Sequence, residues 1–402
     1  MTNNQSASTL LRNARLVLAD RTVESANLLI ENGRVASISS ETASSSVPVA
    51  DLTGLTLFPG FIDAHIHGAV GVDTMNAGAK DLERVSRFLA QNGVTAWVPT
   101  LVPAKQEDYE QSVRAISEAM AGPPDCESEN HAHSGPLARI LGVHYEGPFV
   151  NEQQCGALHR EHFRTFQTVE DLNSLPRVAH NDAIHMTTLA PEVAGGIELI
   201  KELTKRGWVS SIGHTKASAE ILDEAFAAGA RHMTHFMNAM TPLHHRTLGA
   251  VGWGLIHDAV TCDLIADGIH IDPQILKLIV RHKTAEKISL ISDAIAAAGL
   301  DDGEYQIWGE TIQVKNGRTQ NAGGSIAGSV ITMADAVRRM LSLGFAESEV
   351  ATMASLNPAR LLGIDRECGS IQVGKRADLV ALDKELNVRM TIINGRLFAS
   401  DE

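Results

Sequence analysis

Between residues 57 and 292 the chain repeats one pattern: a short apolar, β-favouring run, then a longer stretch whose apolar positions recur every three or four residues. The apolar runs fall near 57–66, 94–102, 139–145, 183–189, 208–212, 232–236, 261–266 and 288–292, which predicts eight strands. Among the intervening stretches, DLERVSRFLAQ, IELIKELTKR and ASAEILDEAFAA have helical periodicity. Each ends at a glycine just before the next strand (Gly93, Gly207, Gly229). A residue without Cβ accepts the left-handed backbone that stops a helix. Strand and helix alternating eight times with short loops predicts an α/β fold, a (β/α)8 TIM-like barrel over residues 59–364, with its chemistry where the strands end.

The two ends of the chain read differently. Leu10 to Ser39 is a series of short apolar runs, with Asn32-Gly33 between LLIE and RVASI. After Gly369 come IQVGKRADLVALD and VRMTIINGRLF, with Asn394-Gly395. Asn-Gly between strand-like runs favours a tight hairpin, because both turn residues need positive φ. Residues 1–58 and 365–402 are therefore expected to pair into one small β-sandwich domain. A polar insert at 122–136 (GPPDCESENHAHSGP) interrupts one helix-to-strand connection, and its His131 and His133 read as solvated loop residues.

Composition narrows the function classes. With 44% hydrophobic and 20% charged residues and no apolar run near bilayer length, the chain reads as soluble and globular. The opening MTNNQSAST has no basic stretch followed by an apolar one, so the expected location is the cytoplasm. Four cysteines (126, 155, 262, 368) form no C-x-x-C pair, which argues against a disulfide framework or a thiolate zinc site and for buried or free thiols. A net charge of −14 disfavours nucleic acid and anionic membrane as partners. A small anionic substrate stays open if Arg and His cluster locally.

The candidate chemistry begins at PGFIDAHIHG (59–68), where His65 and His67 sit two apart at the end of an apolar run. Alternate strand residues point to one side, so both imidazoles face the same space. With the strands placed, other candidates fall at strand ends: His144 and Glu146 on the third (HYEGPF), His214 after the fifth (IGHT), His235 on the sixth (THFMNAM) and Asp293 after the eighth (SDA). Seventeen histidines in the chain would scatter if placed without function, whereas catalytic groups of this architecture gather from several strand ends on one face. Glu146, His214 and His235 offer one carboxylate and two imidazoles, the donor count of a catalytic divalent site that keeps a position open for water. His65 and His67 offer a second position with Glu146 bridging, or a hydrogen-bonded role beside a single ion. Zinc, iron, manganese and cobalt all suit such donors, one or two ions per subunit. Asp293 can accept a proton from an attacking water and deliver it to a departing amine; the alternatives are a strand-end cap or a further ligand.

These residues, with DGIH (267–270), TLAPE (188–192), MNAMTPLHHR (237–246), SDAIAAAGLDDGEY (292–305) and GSIAGSVITM (324–333), resemble the amidohydrolase superfamily and, within it, the N-acetylglucosamine-6-phosphate deacetylases. The likeness covers the whole chain. It implies that Glu146, His214 and His235 hold the principal metal, that His65 and His67 can hold a second, and that Asp293 is the proton donor and acceptor. It further implies contacts to a phosphorylated N-acetyl amino sugar from Asn238, Ala239, Arg246, His270, Ala157, Leu158 and the loop Ile326, Ala327, Gly328. Some phosphate contacts in relatives come from a neighbouring subunit, so a homodimer is implied. One position departs from the pattern. Many relatives carry a His two residues after Gly156, where it can polarise the acetyl carbonyl; this chain has Leu158 there and His159 next.

Three rival readings stay open. The same chemistry on N-acetylgalactosamine 6-phosphate differs in one hydroxyl's orientation. A cyclic amidohydrolase of the dihydroorotase or hydantoinase kind would bridge its metals with a carboxylated Lys after the fourth strand, and AIHMTTLAPE has none. A barrel retained only as a scaffold would be expected to have lost ligands, and every candidate ligand is present.

Overall fold

The structure, a computed structural model, describes residues 8–40, 47–122 and 135–399. The insert's His131 and His133, and Cys126, lie outside the described residues. Eight parallel strands form the predicted barrel: Phe61–Ile66, Val94–Leu101, Gly142–Glu146, Ile184–Leu189, Val209–Ile212, His232–Met233, Thr261–Ile265 and Ile288–Ile291. Each pairs with the next in sequence order. Between the eighth and the first no ladder forms, and the gap is closed just past the strand ends. There the Asp293 N–H donates to His65 O at 2.9 Å and the His67 N–H to Ala294 O at 2.7 Å.

The three helices read from periodicity appear as Ala79–Gln91, Gly196–Lys205 and Ala219–Ala228. The first buries Leu82, Val85 and Leu89 against the barrel. Each such side chain contributes about 1.5–3 kcal/mol relative to an exposed one. Gly93, Gly207 and Gly229 behind these helices have φ of +81°, +72° and +123°, the region that favours glycine.

Both ends of the chain join one eight-stranded sheet. Thr56–Pro59, which leads directly into the first barrel strand, lies between Ser8–Val17 and Leu379–Leu382. Its core holds Leu11, Leu16, Leu28, Leu57, Leu379 and Ile392. The two Asn-Gly turns have positive φ at all four residues, as a tight hairpin turn requires. Cys155, Cys262 and Cys368 are free thiols. Among the described residues no helix is long and apolar enough to cross a membrane.

The barrel interior is layered. At one end Ile62, Ala64, Ala96, Val98, Leu141, Ile265 and Ile291 form an apolar plug with Ala359, Leu362 and Cys368. Above the plug is a polar layer in which His144 Nε2 is 2.7 Å from Thr188 Oγ1, Thr188 is 2.7 Å from Thr234, and Thr234 is 2.5 Å from Ser211. The candidate ligands sit above this layer. A three-stranded meander (Gly303–Ile307, Glu310–Lys315, Arg318–Gln320) inserted after the eighth strand went unpredicted.

Candidate metal and substrate site

Six of the seven strand-end candidates meet at the rim. His214 Nε2 and His235 Nε2 lie 3.0 and 2.9 Å from the same Glu146 oxygen and 3.0 Å from each other. On the other side His67 Nε2 is 3.1 Å from the second Glu146 oxygen, and His65 Nε2 is 3.6 Å from the first. Asp293 Oδ1 is 3.4 Å from His65 Nε2 and 3.3 Å from His67 Nε2. Two donor sets of three thus share Glu146, one with His65 and His67, the other with His214 and His235.

The seventh candidate, His144, does not join them. Two residues before Glu146 on the same strand, it faces the barrel interior one layer down and bonds Thr100 and Thr188. Burial holds its pKa well below the usual imidazole value, so it is neutral.

Several features bear on whether a cation fits. His214 Nδ1 is 2.7 Å from the Gln154 carbonyl and must donate to it, which leaves the Nε2 lone pair aimed at Glu146. Acceptors facing one another at such distances repel unless a cation lies between them. Burial alone would raise the pKa of Glu146 and Asp293, yet the imidazole charge around them holds both below the carboxylate norm. Burial likewise opposes charge on His67, but Asp293 and Glu146 lift it to about 10. The donor set and its electrostatics therefore both demand positive charge, and five imidazole and carboxylate ligands suit a divalent first-row ion. His214, His235 and Asp293 hold φ of +47°, +30° and +51°. Such outliers cluster where function constrains the backbone.

A cleft of about 290 Å³ opens over this cluster. Of the residues expected to touch substrate, Asn238, Ala239, His270, Ala157, Leu158, Ile326 and Gly328 line it. His270 Nδ1 is 2.6 Å from Asp267 Oδ2. Burial opposes a charged His270, but this bond and the Asp267 charge raise its pKa, leaving Nε2 as the nitrogen available to a ligand. Gly328, at φ +56°, packs its loop so closely that a Cβ would stand 2.8 Å from Asp293 O. Three residues lie elsewhere. Ala327 is fully buried behind the lining. Arg246 is exposed on a turn, its backbone N–H bonded to His244 Nδ1. His159 faces Glu161 at 3.3 Å and Glu310 at 4.0 Å, while Leu158 occupies the wall.

The chain's relatives fit this arrangement. A family model described as the amidohydrolase family matches residues 56–398. The chain belongs to the amidohydrolase family. This amidohydrolase is 36% identical over 389 residues to an N-acetylgalactosamine-6-phosphate deacetylase of Escherichia coli O157:H7, covering 96% of this chain and 98% of the relative. It is 35% identical to an N-acetylglucosamine-6-phosphate deacetylase of Bacillus subtilis (strain 168), covering 98% of both. Among solved structures it resembles the Mycobacterium smegmatis N-acetyl-D-glucosamine-6-phosphate deacetylase, solved as a mutant in complex with N-acetyl-D-glucosamine-6-phosphate. The TM-score is 0.86 at 29% identity, over 97% of this chain and 99% of that one. The family and the barrel fold expected from the motifs are thereby shown.

Sequence reasoning missed several residues of the amidohydrolase site. Gly156, Ser325 and Trp308 line the cleft. Asp63, fully buried, accepts from Ser292 Oγ at 2.5 Å and from Ser292 N at 3.2 Å, tying the first strand to the eighth below the ligands. Asn316-Gly317, at φ +51° and +74°, is the same hairpin dipeptide that marked the chain ends and could have revealed the meander. Nothing comparable announces Trp308.

Proposed function

We propose that this chain hydrolyses the N-acetyl group of N-acetylglucosamine 6-phosphate, giving glucosamine 6-phosphate and acetate. The observation that carries it is Glu146 shared between two histidine pairs, with Asp293 3.3–3.4 Å from one of them, at the floor of a cleft with polar and apolar walls. The names of the Bacillus subtilis and Mycobacterium smegmatis relatives point the same way.

In this reading Glu146, His214 and His235 hold the principal divalent ion (Zn, Fe, Mn or Co), and His65 and His67 serve a second. A divalent ion held there polarises the amide carbonyl and makes water a stronger nucleophile at neutral pH. Asp293, already ionised, accepts the proton of the attacking water as the new C–O bond forms. It returns that proton to the nitrogen as the C–N bond breaks. His270 and Asn238 face the sugar phosphate, and Ala157, Leu158, Ile326 and Gly328 enclose it. Arg246, exposed and outside the cleft, fits a phosphate contact made in a neighbouring copy of the chain, in a cytoplasmic homodimer. The catalytic unit is residues 59–364, and the terminal β domain is 1–58 with 365–402.

A second reading, the galactosamine epimer, is favoured by the Escherichia coli relative. Acetate release from the two sugar phosphates, with kcat/KM for each and metal analysis of the purified protein, tests both. A higher kcat/KM on the glucosamine derivative supports the proposal. A higher value on the galactosamine derivative transfers it to the epimer, and release from neither sinks both.

A further inference from the structure

We infer that Trp308 sets the length of the acyl group this enzyme removes, an inference that rests on the deacetylase reading. Trp308 and Gly309 are the two-residue turn of the meander's first hairpin, in which Ile307 pairs with Glu310. Their φ values are +52° and +77°. A tight turn of this hand favours Asn or Gly at its first position, and the next hairpin of the same meander uses Asn316-Gly317. A bulky residue in the left-handed region is disfavoured and gives the turn itself nothing. Strain of this kind persists where surrounding structure holds it, and it marks a place to look for function.

The surroundings are specific. The indole stands edge-on to His67, ring centroids 5.0 Å apart and planes at 78°, so it lies at the ligand end of the cleft. It also packs on the apolar cluster of Ile295, Ile307 and Ala327.

The substrate's reacting carbon must lie within reach of Asp293 and Glu146. That carbon carries two substituents of opposite character, a nitrogen leading to the phosphorylated sugar and an apolar alkyl group. The lining has both characters, with Asn238, His270 and Ser325 polar and Trp308, Leu158, Ala157 and Ile326 apolar, and of these apolar groups the indole is the one seen against His67. Matching chemistry to chemistry directs the sugar toward His270 and the acyl methyl toward His67 and the indole. Each methylene added to the acyl chain then runs into the ring. Misfit by one methylene in a well-formed pocket is worth about 10–200-fold in kcat/KM.

The test compares carboxylate release from N-acetyl-, N-propanoyl- and N-butanoylglucosamine 6-phosphate. The natural chain should lose at least about tenfold in kcat/KM per added methylene. Trp308→Gly suits the positive φ, so the turn is retained while the ring goes; its butanoyl-to-acetyl ratio should rise about tenfold or more. Trp308→Phe keeps an aromatic ring there, and its ratio should fall between the two. A ratio unchanged in Trp308→Gly, or an equal loss on all three substrates, overturns the inference. So does a natural chain that accepts butanoyl as readily as acetyl. A natural chain that releases no acetate from the sugar phosphate overturns the deacetylase reading, and the inference with it.

Discussion

His214 Nε2 points its lone pair at Glu146 Oε1 from 3.0 Å, because its other nitrogen is already used in donating to the Gln154 carbonyl. A cation between them turns this repulsion into coordination. Stripping divalent ions with a chelator should therefore abolish acetate release and lower the melting temperature. An ion at a hundredfold its Kd contributes about 2.7 kcal/mol, which moves Tm by several degrees. Zinc, manganese, iron or cobalt should restore both, and Glu146→Gln should respond to none. Thermal melts with and without chelator, beside elemental analysis, decide it; an apoprotein equally stable and active refutes it.

Asp293 stands 3.4 Å from His65 and 3.3 Å from His67 with φ of +51°. Asparagine tolerates that backbone but cannot accept a proton. Asp293→Asn should lower kcat by about 10²–10⁴-fold while bound metal stays at its natural level. Near-normal turnover would remove Asp293 from proton transfer.

Below the ligands, Asp63 takes both Ser292 donors and spans the seam where the first and eighth strands form no ladder. Asp63→Leu leaves the Ser292 N–H and hydroxyl without their acceptor, a loss of about 1–3 kcal/mol for each buried group. Urea unfolding should show a stability loss of about 2–5 kcal/mol, and a change within about 0.5 kcal/mol would mean the seam is held otherwise.

Strand number, the helix-ending glycines and both Asn-Gly hairpins were legible because each follows from local backbone rules at Gly93, Asn32 or Asn394. The clustering of the candidate ligands was legible because strand ends of a barrel share one face, which gathers His65, Glu146, His214 and His235 without knowledge of distances. The same argument overreached at His144. A two-residue period gives the side of a strand but not its depth, and His144 lies a layer beneath Glu146. Arg246 shows a second limit, since proximity in sequence to a ligand strand does not say whether a turn projects into its own cleft or, as here, out to the surface. Trp308 is a third, brought to His67 by an insertion whose path depends on tertiary packing.

Arg246 is exposed and lines no part of its own chain's cleft. If it serves a neighbouring copy, Arg246→Ala should raise KM for the sugar phosphate about tenfold with kcat little changed, the loss of one charge-assisted contact. Sedimentation should show a dimer. A monomer, or an unchanged KM, would strip Arg246 of that role.

His185 provides a pH dependence away from the ligands. Its Nε2 accepts from the Val178 N–H at 3.0 Å, its Nδ1–H donates to Ala183 O at 3.1 Å, and its ring stacks on Trp208. Burial, aided by the nearby Arg177 charge, lowers its pKa to about 4. Unfolded, it titrates near 6.5, so between pH 4 and 6.5 the unfolded chain binds the extra proton. Stability from this group is complete above about pH 6.5 and is lost as pH falls toward 4. The loss between pH 7 and pH 5 is about 2 kcal/mol. Replacing His185 with Gln keeps a neutral donor and acceptor but removes the titration. Urea unfolding of both proteins at the two pH values should show the natural chain losing about 2 kcal/mol more than the variant. Equal losses would mean that His185 is protonated without penalty in the folded state.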